Sequence, residues 1–129
     1  MSQRAPLILV IEDDQSVQQL LSLILQGEGY EVIAARDGLE GLVKLELAHP
    51  SLVIVDLMMP NISGDRVIEE VRSDPRLKAV PLLVVSGRHD LHESFDHVLG
   101  AENVLAKPLD TEKLLARVEE ILGRPEPLA

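Results

Sequence analysis

Short runs of aliphatic residues alternate along the chain with segments in which apolar residues recur every three or four positions. A continuous apolar run of four or five residues is typical of a strand buried on both faces, and three- and four-residue spacing is typical of a helix with one buried face. The runs that predict strands are Leu7–Ile11, Leu52–Val55 and Leu82–Val85, with weaker signals at Glu31–Ala35 and Asn103–Ala106.

Five helical patterns lie between and after these strands. Asp37, followed three residues later by Glu40, predicts a capping box at the start of the second helix, and Asp110 predicts the N-cap of the last helix. The apolar positions that mark the five patterns are Val17, Leu20, Leu21 and Ile24; Leu39, Leu42, Val43 and Leu47; Val67, Ile68 and Val71; Leu91, Phe95, Val98 and Leu99; and Leu114, Leu115, Val118, Ile121 and Leu122.

This alternation predicts an α/β fold, in which a parallel sheet is covered by helices on both faces and the crossovers are right-handed. We interpret residues 1–123 as one domain. Residues 124–129, with the sequence RPEPLA, are interpreted as a C-terminal tail or the start of a linker, because prolines cannot continue the preceding helix. In open parallel sheets the ligand site lies beyond the carboxyl ends of the strands, so polar residues at those ends are the candidates for function.

Composition narrows the class of function. The 129 residues carry 12 basic and 22 acidic side chains, a formal net charge of −10, and such a surface repels phosphate backbones, so we expect no direct contact with nucleic acid. The absence of cysteine excludes disulfides, thiol catalysis and cysteine-based metal sites. No apolar run reaches the roughly 18 residues of a membrane span, and the N-terminus does not read as a signal peptide, so we expect a cytoplasmic protein without a membrane segment.

Polar residues terminate the predicted strands at the edge where a ligand would bind. The first strand runs into Glu12, Asp13 and Asp14, the third into Asp56, the fourth into Ser86 and the fifth into Lys107. Two carboxylates about 5 Å apart repel by roughly 3 kcal/mol at an effective dielectric constant of about 20, and a hard cation such as Mg²⁺ relieves that repulsion. A carboxylate nucleophile, a metal, an ammonium and a hydroxyl together predict a site for phosphoryl transfer.

The sequence resembles the receiver domains of bacterial response regulators in two-component signalling, the CheY-like superfamily. The resemblance covers nearly the whole chain and implies a doubly wound (βα)5 flavodoxin-like sandwich with strand order 2-1-3-4-5. The segments that carry it, in order, are ILVIEDD (8–14), GYEVIAARDGLEGL (29–42), VDLMMPNISG (55–64), PLLVVSG (81–87) and GAENVLAKPL (100–109).

The resemblance also implies a phosphoacceptor and a metal site. Asp56 would take a phosphoryl group from the phosphohistidine of a sensor histidine kinase or a phosphotransfer protein. Asp13, Asp56 and the backbone carbonyl of Met58 would bind Mg²⁺ directly, and Glu12 would act largely through bound water. The domain would catalyse its own phosphorylation and dephosphorylation, which is a signalling function rather than that of a turnover enzyme.

The switch is implied in the same way. Lys107 would pair with Asp56 and then with the phosphoryl group, Ser86 would move toward that group, and the peptide bond between Lys107 and Pro108 would be cis. Receivers usually have an aromatic residue where this chain has Val104. We therefore expect phosphorylation to be retained and its readout to differ, with an output domain or a target protein as partner and a monomer or weak homodimer as the assembly.

Two alternatives come from other classes of protein. A pseudo-receiver, which is an interaction module without a working pocket, is supported by Val104 alone and opposed by the retained acids. A Mg²⁺-dependent phosphatase that forms an aspartyl-phosphate typically has a second Asp two residues after the nucleophile. Met58 occupies that position, which argues against the phosphatase.

Overall fold

The computed structural model describes residues 5–57, 59, 63–87, 99–100 and 103–125. The helix predicted over residues 91–99 lies outside this part of the chain except at its last residue. The strands and helices are β1 (Leu7–Ile11), α1 (Gln15–Gly27), β2 (Glu31–Ala35), α2 (Gly38–Ala48), β3 (Leu52–Asp56), α3 (Gly64–Ser73), β4 (Leu82–Ser86), β5 (Val104–Ala106) and α4 (Thr111–Leu122).

The five strands form one sheet in the order β2-β1-β3-β4-β5, and each neighbouring pair is parallel. This confirms the predicted α/β class and strand order. Two strands extend one residue beyond their predicted ends, so that Asp56 is the last residue of β3 and Ser86 the last residue of β4. Because all strands run the same way, their carboxyl ends meet at one edge of the sheet, which we call the rim.

The sheet divides the aliphatic core into two layers, because successive residues of a strand point to opposite faces. Leu9 and Ile11 of β1 belong to the layer under α2 and α3, whereas Ile8 and Val10 belong to the layer under α1 and α4. Strands β1, β3 and β4 are buried almost throughout, which explains their uninterrupted apolar sequences. In the described part of the chain, no helix is long and apolar enough to cross a membrane.

Aspartates cap three of the four described helices. The carboxylate of Asp14 accepts hydrogen bonds from the backbone at the start of α1, and Asp37 and Asp110 do the same for α2 and α4. The predicted caps at Asp37 and Asp110 are thereby confirmed. These bonds satisfy backbone N–H groups that a helix start otherwise leaves without a partner.

Of the four residues predicted for the apolar face of α2, only Leu42 packs against the core, and the other three are wrong. Leu39, Val43 and Leu47 are each more than half exposed, and the helix instead buries Gly38, Gly41 and Leu45. Gly41 explains the difference, because a Cβ atom there would lie 2.4 Å from the side chain of Ile11 in β1. The helix therefore approaches the sheet through its small residues, and the three larger ones face outward.

Candidate functional site

The rim contains the buried polar side chains of the described part of the chain. Among the described residues, the buried polar or charged side chains are those of Glu12, Asp56 and Ser86, and all three directly follow or end a central strand. Burying a carboxylate is costly unless it is paired or hydrogen-bonded, so their location calls for partners at the same place.

Lys107 is one of these partners. Its Nζ atom donates hydrogen bonds to Glu12 Oε1 at 2.8 Å and to Asp56 Oδ2 at 2.9 Å. In sequence, Lys107 is 95 positions from Glu12 and 51 positions from Asp56. Burial alone would lower the pKa of Lys107, but the pKa is raised because the bonds to Glu12 and Asp56 outweigh the burial. The ammonium therefore stays charged at neutral pH and joins β1, β3 and β5 at the rim.

Three carboxylates lie together at the rim, and two of them contact this ammonium. One oxygen from each of Glu12, Asp13 and Asp56 lies within 4.8 Å of the others. At that separation each pair of ionised carboxylates repels by about 3 kcal/mol at an effective dielectric constant of about 20. A single ammonium cannot neutralise three carboxylates, so the cluster keeps an excess of negative charge.

The pKa of Glu12 reflects its burial and this excess of negative charge. The pKa of Glu12 is raised from its ordinary value of 4.5 to about 7, first by burial and then by the hydrogen bond with Asp56, while Lys107 opposes the rise. Its Oε2 atom is buried and has no hydrogen-bond partner within the described residues. At neutral pH a proton on Glu12 therefore neutralises part of this negative charge, and a bound cation could neutralise it instead.

These residues fit a hard divalent cation. The ligand atoms are all carboxylate oxygens, as Mg²⁺ prefers, and the buried Glu12 Oε2 has unused capacity to accept a bond. Asp13 is exposed and keeps the cluster open to solvent, so water could complete the coordination. Met58, whose carbonyl the resemblance also implies as a ligand, lies outside the described residues.

The remaining predicted residues are placed as follows. Ser86 ends β4 close to Asp56, because Asp56 pairs in the strand register with Val85, the residue before Ser86. The Ser86 carbonyl accepts a hydrogen bond from the backbone N–H of Lys107 at 3.1 Å. The peptide bond between Lys107 and Pro108 is cis, as the resemblance implies. Val104 begins β5 and is buried.

Gly64 is a residue of the site that sequence reasoning passed over. A Cβ atom at this position would lie 2.2 Å from the carbonyl oxygen of Asp56 and 2.7 Å from Cα of Leu57, so the start of α3 can touch the end of β3 only through a glycine. The Gly64 N–H also donates to the Leu57 carbonyl at 3.2 Å. The only signal in the sequence was its place in the segment VDLMMPNISG.

Comparison with known proteins assigns the family. The family model for the response regulator receiver domain matches residues 8–119. The chain therefore belongs to the receiver domains of response regulators, and its function is that of a receiver in two-component signal transduction. This confirms the resemblance seen in the sequence.

Individual relatives agree with this assignment. The DNA-binding dual master transcriptional regulator RpaA of Synechocystis is 37% identical over 122 residues, which are 92% of this chain and 50% of that protein. A putative response regulator from Chloroflexus aurantiacus is 34% identical with a TM-score of 0.83, over 93% of this chain and 99% of that one. The chemotaxis protein CheY4 of Vibrio cholerae is 31% identical with a TM-score of 0.81, over 92% of this chain and 99% of that one.

The chain spans about half the length of the first curated relatives it matches. Response regulators work with histidine kinases and with output domains or target proteins, and RpaA is named as a DNA-binding protein. The absence of direct nucleic-acid contact therefore stays a prediction for this chain, as do its cytoplasmic location, its domain limits and its assembly.

Proposed function

We propose that Asp56 is the phosphoacceptor of this receiver domain and that Mg²⁺ bound by Glu12, Asp13 and Asp56 is required for its phosphorylation. The observation that carries the proposal is the ammonium of Lys107 held between Glu12 and Asp56 at a buried rim. A buried carboxylate beside a fixed ammonium and a further pair of acids is arranged to receive a dianionic group, rather than only to stabilise the fold.

The reaction is a transfer from nitrogen to oxygen. A carboxylate oxygen of Asp56 attacks the phosphorus of a phosphohistidine on a sensor kinase or phosphotransfer protein. The new bond joins that oxygen to phosphorus, the bond between phosphorus and the histidine nitrogen breaks, and its electron pair remains on the imidazole. No change of oxidation state occurs. In dephosphorylation a water oxygen attacks the phosphorus, the bond between phosphorus and the Asp56 oxygen breaks, and inorganic phosphate leaves while the carboxylate is restored.

Charge neutralisation is the main contribution of the site. When bound, Mg²⁺ supplies electrostatic stabilisation of the phosphoryl oxygens. Lys107 already pairs with Asp56 and can pair with a phosphoryl oxygen after transfer, without leaving Glu12. Ser86, at the end of the neighbouring strand, would donate its hydroxyl to the same group as the switch.

The consequence of phosphorylation is a change in affinity for a partner. The phosphoryl group brings about 1.5 to 2 negative charges to the rim, and it shifts the balance between two conformations only by the difference in its contacts with them. We infer an output domain or a separate target protein as the partner. Since Val104 is β-branched and has little rotamer freedom, we infer that this readout does not use the aromatic side chain usual in receivers.

The proposal is tested by intact mass spectrometry after incubation with a small-molecule phosphodonor, with and without Mg²⁺. We expect the mass of one added phosphoryl group with Mg²⁺, little without it, and none in Asp56→Asn. The matched control is Asp37→Asn, which alters another aspartate after a strand but keeps a residue able to cap α2.

Two outcomes would decide against the proposal. A native protein that takes up no phosphoryl group at any Mg²⁺ concentration would favour the pseudo-receiver. Continuous release of phosphate over many turnovers, without a stable adduct on the protein, would favour the phosphatase.

A further inference from the structure

The loop that follows β1 is fixed by a side chain from α1. The Nε2 atom of Gln18 donates one hydrogen bond to the carbonyl oxygen of Glu12 at 3.1 Å and a second to the carbonyl oxygen of Ala35 at 3.0 Å. Both hydrogens of the amide are thus used, each on the backbone at the end of a different strand. The Ala35 carbonyl also accepts the Glu12 backbone N–H at 3.0 Å, so the ends of β1 and β2 are tied directly as well.

Gln18 is itself held in place. Its backbone N–H donates to the Asp14 carbonyl at 2.9 Å, and its own carbonyl accepts the hydroxyl of Ser22 at 2.8 Å. One turn earlier, the Asp14 carboxylate caps the helix through the N–H groups of Ser16 and Val17. The short loop of residues 12–14 is therefore fixed at one end by the cap and at the other by the amide of Gln18.

The position of this loop decides where two of the three rim carboxylates lie. The peptide group that joins Glu12 to Asp13 contains the carbonyl that Gln18 binds. The side chain of Glu12 is constrained by burial and by Lys107, whereas that of Asp13 is exposed. The location of the Asp13 carboxylate therefore depends mainly on its backbone, and that backbone is oriented by Gln18.

We propose that Gln18 is a positioning residue for the Mg²⁺ site, which acts by holding the Glu12–Asp13 peptide so that both carboxylates face Asp56. This inference rests on the proposed function, since it assigns a supporting residue to the same site. Groups that orient metal ligands without touching the metal typically contribute about 10- to 100-fold in metal affinity or activity. Gln18 does so through the backbone rather than through a ligand side chain.

The test compares Gln18→Met with the native protein and with Gln19→Met. Methionine matches glutamine in length and in helix propensity but cannot donate a hydrogen bond, and Gln19 is the exposed neighbour on the same helix. We expect Gln18→Met to weaken binding of Mn²⁺, a spectroscopic substitute for Mg²⁺ measured by electron paramagnetic resonance, by about 10-fold. The Gln19→Met variant should bind like the native protein.

A second readout concerns the metal-free protein. Amide hydrogen exchange of Glu12, whose N–H is bonded to Ala35, should be faster in Gln18→Met, while exchange in the middle of β3 should not change. Gln18→Arg places new donors at the same point and should restore both metal affinity and slow exchange. If Gln18→Met does not fold, Gln18→Asn keeps the amide on a shorter side chain and is expected to give the same loss.

The outcomes separate this inference from the proposed function. If the native protein binds Mn²⁺ and is phosphorylated, and Gln18→Met is folded with unchanged affinity and rate, the role of Gln18 is wrong and the function stands. If the native protein neither binds the metal nor accepts a phosphoryl group, the proposed function fails and this inference fails with it. A loss in Gln18→Met that Gln18→Arg does not restore would also contradict it.

Discussion

Two groups of charges in this molecule are each built around one cation that contacts two carboxylates, but their surroundings differ. At the rim, Lys107 contacts the carboxylates of Glu12 and Asp56. At the surface, Arg76 in the segment after α3 contacts the carboxylates of Asp74 and of Glu46 in α2. The side chain of Lys107 is 28% exposed and that of Glu12 only 3%, whereas Arg76 is 70% exposed and Glu46 53%. Each cation contacts two carboxylates, but the rim also contains the carboxylate of Asp13 and is far less accessible to water.

Access of water changes how readily the acids of the two groups ionise. At the surface, hydrogen bonds from Arg76 lower the pKa of Asp74, so the ion pairs simply stabilise the ionised acid. At the rim, burial and the hydrogen bond with Asp56 raise the pKa of Glu12 to about 7 although Lys107 lowers it, so ionisation of Glu12 stays unfavourable even beside a cation. Exposed pairs contribute little to stability, but a buried group with excess negative charge attracts a proton, a metal or any other cation that can reach it.

The largest effect that follows from this comparison is that of Lys107→Met. Because the substitution leaves Glu12 and Asp56 buried without their cation, we expect a loss of about 3 kcal/mol in the free energy of unfolding at neutral pH. The rate of phosphorylation should fall about 100-fold, since a preorganised donor at the reacting group is lost. Urea titration and the phosphodonor assay measure the two quantities.

The control for this substitution is Lys113→Met, which removes an exposed lysine near the start of α4. It should leave both the free energy of unfolding and the phosphorylation rate close to those of the native protein. Equal effects of the two substitutions would show that the buried lysine at the rim contributes no more to stability or to phosphorylation than an exposed lysine does.

A smaller effect is expected from pH in the absence of Mg²⁺. The pKa of Glu12 is about 7 in the folded chain and near its ordinary value of 4.5 in the unfolded chain, so the folded state holds the extra proton between these values. The stabilisation of the folded state by this proton is fully present below about pH 4.5 and is lost as pH rises through about 7. We expect the native protein to lose about 2 kcal/mol over this range relative to Glu12→Gln, which cannot ionise.

Urea titrations of both proteins at about pH 5 and about pH 8 give this difference, since the other titrating groups are shared. Stability profiles that stay parallel for the two proteins would mean that Glu12 does not carry the excess charge of the rim.

The smallest effect is expected from Arg76→Met. The substitution removes the cation of the surface group, but solvent replaces it around Glu46 and Asp74. We expect a shift of the melting temperature of no more than about 2 °C, as is usual for an exposed position, and an unchanged phosphorylation rate. A shift of the melting temperature comparable to that of Lys107→Met, measured by calorimetry under the same conditions, would show that the two cations contribute equally to stability.

Sequence predicted the rim residues more easily than the surfaces of the helices. Uninterrupted apolar strands can only be buried, so the polar residue that ends each one has a defined place, and the structure brings Lys107 to Asp56 accordingly. On α2, counting large apolar residues gave a face that is wrong at three of its four positions, because close packing against Ile11 requires Gly41 rather than a leucine.

Other features of the site are absent from any local pattern. The raised pKa of Glu12 depends on how far the fold buries it, and no spacing of residues encodes that. Gln18 reaches the rim from the first turns of α1 and resembles any solvated glutamine in sequence, since its two acceptors are backbone carbonyls of different strands. Such contacts become visible only when the strand ends are placed relative to the helix.

We expect the buried rim to direct phosphorylation to Asp56. The most direct measurement is fragmentation mass spectrometry of the protein after treatment with a phosphodonor and Mg²⁺, which locates the modified residue. We expect a single phosphoryl group on Asp56 and none on Glu46 or Asp74, the acids that Arg76 contacts at the surface. A phosphoryl group on Asp13, on Ser86 or on a surface acid, with Asp56 unmodified, would contradict this expectation.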